Sequence, residues 1–289
     1  MKKNVLMVVN PISGAVDKSE FIDAARRFAT KQKLCFILYT TSGDNDILNI
    51  RTLYDLHKPE RIIIAGGDGT IKMVSEAMEK HNVILGILPA GSANGLAAEL
   101  NLITTLEESL SIAFHNNYIE MDMVVINGKK SMHLSDLGLN AALIKNYEKS
   151  DIRGMWGYAL QAITTLIDLD DPFTATICAN NQTWVCDARM VVIANAKKYG
   201  TGVVINPDGV INDGKFELVI LKNLDLVVFV KIITGNLPLN SYDIEIISTD
   251  KATITTNLPV SFQIDGEYCG EQTQLDIQIL PKQMKIAVP

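Results

Sequence analysis

Asp68 stands in the run Gly66-Gly67-Asp68-Gly69-Thr70, one carboxylate among three glycines, directly after the apolar run Arg61-Ile62-Ile63-Ile64-Ala65. Glycines at the end of a buried strand let backbone N–H groups come close to a ligand. A helix beginning near Thr70 adds the positive end of its dipole, and both features favour phosphate. A carboxylate beside phosphate is repelled unless a divalent cation lies between them. Mg²⁺ suits that place, because it takes few carboxylates, keeps several waters and bridges phosphate oxygens. The run therefore reads as a cradle for nucleotide phosphates in which Asp68 holds or orients Mg²⁺.

Two more runs have the same character: Asn10-Pro11-Ile12-Ser13-Gly14, and Pro89-Ala90-Gly91-Ser92-Ala93-Asn94-Gly95. Each follows a strand-like segment. For any one of them, a plain tight turn is as good an explanation as a ligand. Three on one rim of a sheet argue for a site, since open parallel sheets bind ligands beyond the carboxyl ends of their strands. None of the three matches G-x-x-x-x-G-K-[ST] or a strand-linked G-x-G-x-x-G.

The elements that must position these runs come from two periodicities. Asn4–Val9, Lys33–Tyr39, Arg61–Ala65 and Val83–Leu88 read as buried strands. Between them and after them, residues 17–32, 45–56, 70–80 and 104–114 carry apolar residues at helical spacing, as Ile71, Val74, Ala77 and Met78 do. That alternation predicts right-handed crossovers and a parallel sheet covered on both faces. After about residue 120 the pattern becomes short strands separated by turn residues: 121–126, 174–178, 189–194, 216–221, 244–247, 252–256 and 261–264. One helix, residues 155–169, interrupts them. The expected fold class is an α/β N-terminal domain with a parallel sheet, residues 1–120, plus a mainly antiparallel β-sandwich domain, residues 121–289. A cleft between the two is the default site.

Composition removes several classes. The chain has 289 residues, 47% hydrophobic and 20% charged, which is a globular balance. A formal charge of −7 and a pI near 5.2 leave no basic stripe for nucleic acid. No apolar run approaches the ~20 residues of a membrane helix. Cys35, Cys178, Cys186 and Cys269 are scattered, and so are His57, His81, His115 and His133; reduced thiols in a cytoplasm are expected rather than disulfides or a zinc site.

Taken in order, Asn10-Pro11…Gly14, Gly66-Gly67-Asp68-Gly69-Thr70 and Pro89-x-Gly91-Ser92-x-Asn94 resemble the catalytic domain of the diacylglycerol kinase and sphingosine kinase superfamily of lipid kinases. The likeness runs through nearly the whole chain. Arg153-Gly154-Met155-Trp156-Gly157-Tyr158, Asn195…Tyr199-Gly200-Thr201-Gly202 with Pro207, Asp213-Gly214-Lys215-Phe216 and Ile264-Asp265-Gly266-Glu267 resemble its later motifs. The G-G-D-G-T element alone is shared with NAD kinases and phosphofructokinases, and an N-terminal domain like theirs is implied.

The resemblance implies an ATP- and Mg²⁺-dependent kinase acting on a membrane lipid, diacylglycerol or sphingoid-like. Asn10, Ser13, Gly14, Gly66, Gly67, Gly69, Thr70, Gly91, Ser92 and Asn94 would contact the nucleotide, with Thr40 or Thr41 from the second strand and Glu267 from the late motif. Asp213 and the backbone carbonyl of Phe216 would bind Mg²⁺, linked towards Asp68 through water. Asp265 would be the general base on the lipid hydroxyl, in a transfer that is mostly positioning and electrostatics. Without the resemblance, Asp213-Gly214 and Asp265-Gly266 read as hairpin turns. Trp156 and Tyr158 then read as helix core, and residues 168–171 as a solvated helix end.

The implied setting is the cytoplasm, with peripheral contact at the inner membrane surface. Leu237-Pro238-Leu239 is one candidate for that contact and ordinary loop packing the other, and association as a homodimer is left open. Two departures stand out. Gly95 replaces the second aspartate of the diacylglycerol kinase branch, which brings the run closer to the sphingosine kinase branch. Lys72-Met73 stands where Asn-Glu is common. Two further readings compete: a kinase of a soluble substrate like NAD kinase, whose Thr-x-Thr-Gly-Ser-type segment is missing here, and a nucleotide-binding regulator without turnover.

Overall fold

The computed structural model describes residues 3–138, 141, 171–198, 204–223 and 242–289. The expected helix 155–169, the 153–158 motif, residues 168–170, 199–202 and Leu237-Pro238-Leu239 lie outside the described residues. By compactness the chain forms two units. Among the described residues, the first runs to Met121 and takes in Lys282–Pro289, and the second begins at Asp122 and ends at Pro281.

The first unit alternates strand and helix: β1 (Asn4–Val9), α1 (Ser19–Lys31), β2 (Cys35–Thr40), α2 (Asp46–His57), β3 (Arg61–Gly66), α3 (Asp68–Ala77), β4 (Ile84–Pro89), then α4 (Gly95–Glu99) and α5 (Leu106–His115). β1 pairs in parallel with both β2 and β3, and β3 with β4, so the strand order is 2-1-3-4. Lys285 and Ile286 add a further parallel partner beside Ile84 and Leu85.

Val5, Met7 and Val9 pack with Ile63, Ala65 and Leu88 under α1 and α5, in a core that includes Ala25, Ala29, Leu110 and Phe114. Their neighbours Leu6, Val8, Ile62 and Ile64 point the other way and are equally buried, beneath α2 and α3. Cover on both faces explains why these strands read as unbroken apolar runs. Arg61 ties the end of α5 down, donating to the carbonyls of Ala113 and Asn116 at 3.0 and 2.7 Å.

The second unit is antiparallel wherever its described strands pair. β5 (Tyr118–Ile126), which begins in the first unit, pairs with β6 (Lys129–Ser131). β7 (Leu134–Gly138), β8 (Phe173–Ala179), β9 (Gln182–Ala188), β10 (Met190–Ala194), β11 (Phe216–Leu221), β12 (Ile244–Thr249) and β13 (Lys251–Ile264) follow, and β14 (Glu267–Ala287) ends in the first unit. Neighbours run β12-β11-β10-β7-β13, and β13 also pairs with β8 and β14. Alternate residues such as Ala175, Ile177, Val191, Ile193, Leu218, Ile220, Ile254 and Ile264 point into one core, the β-sandwich the sequence predicted.

Two expected strands, 252–256 and 261–264, are one. β13 continues through a register shift between Thr255 and Val260, where Pro259 cannot donate to the ladder.

Candidate functional site

β1, β3 and β4 run parallel and end at Val9, Gly66 and Pro89, so the three glycine runs emerge on one rim of the first unit. The ladders continue one step into the loops: Asn10 N–H donates to Ala65 O at 3.1 Å, Ala90 N–H to Gly66 O at 3.0 Å and Thr41 N–H to Val9 O at 2.9 Å.

Most of the glycines are explained by how tightly these loops pack on one another. A Cβ on Gly91 would lie 2.4 Å from the Gly67 Cα, and one on Gly14 would lie 2.7 Å from the Ala90 carbonyl oxygen. Gly14 also has φ +63°, a left-handed conformation that favours glycine. A Cβ on Gly66 would strike the Thr70 side chain at 2.5 Å. Gly69 differs: no described atom outside its own helix lies within 4 Å of the position its Cβ would take. It occupies the first turn of α3 and is exposed. Protein packing gives no reason for its missing side chain, and the space lies where α3 presents its unsatisfied N–H groups.

Asp68 has protein partners. Its Oδ2 accepts the Gly95 N–H at 2.8 Å and its Oδ1 accepts the Leu96 N–H at 3.0 Å. The carboxylate therefore closes the start of α4, and one reason for an acid among the glycines is to hold the third loop against the second. A carboxylate has about four lone-pair sites, so each oxygen keeps capacity for a metal-bound water or a cation.

Other side chains stitch the loops. Asn10 Nδ2 donates to Thr70 Oγ1 at 3.2 Å and Ser13 Oγ to Ala90 O at 3.2 Å. Asn94, at φ 53°, folds back on Gly91, accepting its N–H and donating to its carbonyl, both at 2.8 Å. Ser92 is exposed beside it. Lys18 and Asp46 were not anticipated. Lys18 is buried, and its Nζ donates to Ser13 O at 2.5 Å and Val16 O at 2.7 Å, so a cation sits behind the first loop. Burial pushes the Lys18 ammonium below its ordinary value, against the pull of Asp17.

Asp46 gathers the loop after β2. Its Oδ1 accepts from Tyr39 Oη at 2.6 Å and Ser42 N at 3.0 Å, and its Oδ2 from Gly43 N at 2.9 Å. Burial raises the Asp46 carboxyl, but the bonds from Tyr39, Ser42 and Gly43 outweigh it and leave the group below the usual carboxylate value. The loop so held carries Thr40, exposed, and Thr41, buried.

In the second unit Asp265 and Gly266 form a two-residue hairpin between β13 and β14, with Ile264 opposite Glu267 and φ values of 50° and 87°. The turn reading and a chemical role thus coexist. Asp265 Oδ1 accepts from Ser131 Oγ at 3.0 Å and His133 N at 3.0 Å, and Oδ2 from Met132 N at 3.1 Å. Glu267 is exposed at the head of β14.

Asp213 is exposed, accepts the Lys215 N–H at 3.0 Å and lies in a turn before β11. That turn rests on Asp122, whose Oδ2 accepts the Gly214 N–H at 2.7 Å. Asp213, Asp250, Asn180, Ser248 and Thr249 line one open pocket, together with Gly214 and the cationic Lys215. Their hard oxygen donors suit Mg²⁺, which needs only one or two carboxylates. The Phe216 side chain is fully buried, so only its backbone oxygen is left to serve an ion. Among the described residues no three His, Cys, Asp or Glu gather as a ready metal cluster, and Asp68 and Asp213 belong to different units.

Residues 4–126 match the model of the diacylglycerol kinase catalytic domain, and residues 136–288 match that of the YegS C-terminal NAD kinase beta sandwich-like domain. The chain belongs to the diacylglycerol kinase family. It is a kinase. Over 238 residues it is 28% identical to the "Probable lipid kinase YegS" of Salmonella heidelberg (strain SL476), covering 80% of this chain and 78% of that protein. The protein of the same description from Escherichia fergusonii is 28% identical over 236 residues, 79% of this chain and 78% of its own. A crystal structure of a diacylglycerol kinase from Bacillus anthracis str. Sterne has the same fold, with a TM-score of 0.76 at 17% identity over 99% of this chain and 97% of that one. This member of the diacylglycerol kinase family thus places the three loops of its catalytic domain in direct backbone contact.

Proposed function

We propose that this kinase transfers the γ-phosphoryl group of ATP, with Mg²⁺, to a hydroxyl of a membrane lipid, diacylglycerol or sphingoid-like. The observation that carries the reading is the open space at Gly69 on the first turn of α3, framed by loops already locked together. Backbone N–H groups there would receive phosphate, and a pre-formed cradle avoids the cost of ordering loops on binding. Asn10, Ser13, Ser92 and Asn94 would line it, with Thr40, Thr41 and Glu267 as further nucleotide contacts.

Asp265 would orient the acceptor hydroxyl and take its proton, contributing the ~10²–10⁴-fold typical of such a group. Mg²⁺, held by Asp213 with the Phe216 carbonyl and steadied by Asp68, would neutralise phosphate charge and so lower the barrier. The lipid acceptor is supported by the relatives, which are described as lipid kinases. No helix among the described residues is long and apolar enough to cross a membrane. In this reading the enzyme meets its acceptor peripherally, from the cytoplasmic face of the inner membrane.

Incubation with γ-labelled ATP, Mg²⁺ and a mixed lipid extract tests the proposal. Label moving to the organic phase is expected. Label on a water-soluble acceptor, or nucleotide binding without transfer, would reject the lipid reading.

A further inference from the structure

We infer that Asp136 is a positioning residue for the Asp265 turn, acting through the side-chain amide of Gln263; the inference rests on Asp265 being the base. Asp136 lies in the middle of β7 with 0% exposure, opposite Gln263 on β13 and Val192 on β10. The surrounding positions, Leu134, Leu137, Val192 and Ile264, are apolar and buried. A carboxylate withdrawn from water costs free energy unless it is hydrogen-bonded, so a sheet built only for stability would carry an aliphatic side chain here.

One bond it makes leads to the catalytic turn. Gln263 is also buried, and its Nε2 donates to Asp136 Oδ2 at 2.5 Å. Its Oε1 then accepts the N–H of Gly266 at 2.7 Å. Gly266 follows Asp265 directly, so this amide is half of the two-residue turn. A glutamine amide can be placed either way round, but an ionised carboxylate only accepts and a backbone N–H only donates. Asp136 therefore fixes which end of Gln263 faces the turn.

A second limb starts from the same stretch of chain. Ser135 Oγ donates to Ser131 Oγ at 3.0 Å, Ser131 Oγ donates to Asp265 Oδ1 at 3.0 Å, and Asp265 N–H donates to Leu134 O at 3.1 Å. The turn is thus pinned on the carboxylate side by residues 131–134 and on the amide side by the Asp136–Gln263 pair. Both of its residues have positive φ, 50° and 87°, so the backbone needs such support. Without Asp136 the Gln263 amide is released, the Gly266 N–H loses its fixed acceptor, and the Asp265 carboxylate samples a wider range of directions. A displacement of about 1 Å in a reacting group is enough to cost roughly 10²-fold in rate.

The test compares full-length variants in the lipid transfer assay. Asp136→Leu keeps the branching at Cγ, with bulkier methyl groups, and removes the acceptor; kcat is expected to fall about 10–100-fold while KM for ATP stays the same. Asp136→Asn can still accept from Gln263 and is expected to stay within about threefold of wild type. In the Asp265→Asn background, Asp136→Leu should cause no further loss, because the residue acts only through Asp265. Should Asp136→Leu fail to fold, Gln263→Met cuts the relay at its other end and is read in the same way. An equal loss in both backgrounds, or an unchanged kcat for a folded Asp136→Leu enzyme, overturns the positioning role and leaves Asp265 as base. A rate retained by Asp265→Asn alone overturns both.

Discussion

Asp68 and Gly95 are joined across two loops, the Asp68 Oδ2 accepting the Gly95 N–H at 2.8 Å while Oδ1 accepts that of Leu96 at 3.0 Å. A single carboxylate thereby starts α4 and fixes the Gly91–Asn94 loop beside the first turn of α3. Glycine at position 95 leaves no second carboxylate to repel it, so the departure from the diacylglycerol kinase pattern is compatible with an ordered site.

Replacing Asp68 separates its structural part from its chemical part. Asp68→Ala removes both acceptors and should cost about 1–2 kcal/mol in urea unfolding, the size of a lost helix cap. Asp68→Asn keeps one acceptor and should lose less stability, yet still transfer phosphate about 100-fold more slowly. A near-normal rate for Asp68→Asn would reduce Asp68 to a cap.

The glycines divide in the same way. Gly91→Ala places a Cβ against the Gly67 backbone and should destabilise by about 1–3 kcal/mol. Gly69→Ala meets nothing and replaces a poor helix former, so stability should hold or rise by up to about 1 kcal/mol. Nucleotide affinity, read by calorimetry, should nevertheless fall about 10-fold or more if phosphate approaches this face. Unchanged affinity would place the phosphates elsewhere.

Asp265→Asn should stay folded. Its amide group would face one of the donors that now meet the carboxylate, Met132 N–H or Ser131 Oγ and His133 N–H, which should cost about 1–2 kcal/mol. Transfer should fall by about 10²–10⁴-fold, in kcat rather than in KM for ATP. Melting curves and steady-state kinetics on the same preparation check both.

Asp46 predicts a pH dependence. Its carboxyl lies below 3.8 in the folded protein, so the unfolded chain binds the proton more readily. The stability it contributes is complete above pH 3.8 and is lost as pH falls through the lower folded value. Asp46→Asn should therefore be less stable at pH 7 and show a flatter acid limb in urea melts from pH 7 to 2.5. If both proteins lose stability equally on acidification, Asp46 is not the linked group.

Much of the frame was legible in the chain. Asn4–Val9 and Phe216–Leu221 have the bounds that the apolar runs suggest, because strands buried on both faces leave a nearly continuous signal, broken in the second only by Glu217. β14 left none. Polar residues alternate along it, and Gly270 and Pro281 interrupt it, so 21 residues of strand look like loop. The three glycine runs were readable because each is local, as was the clustering implied by their places after β1, β3 and β4. The partners of Asp265 were not: Ser131, Met132 and His133 lie more than 130 positions away in sequence, and only the fold brings them in. Asp46 had a local cue, four residues after Ser42 in a Ser-Gly-Asp-Asn turn. Lys18 had none, since an exposed lysine and a buried one read alike.

Lys285 and Ile286 lie beside Ile84 and Leu85, while Val288 and Asn116–Asn117 exchange hydrogen bonds. During synthesis the sheet of the first unit must therefore wait, one edge bare, until residues some 200 positions downstream of β4 have been made. Nascent chains stalled before Met284 should expose that edge to chaperones, and a frameshift just ahead of Lys285 should damage the part of the enzyme translated first.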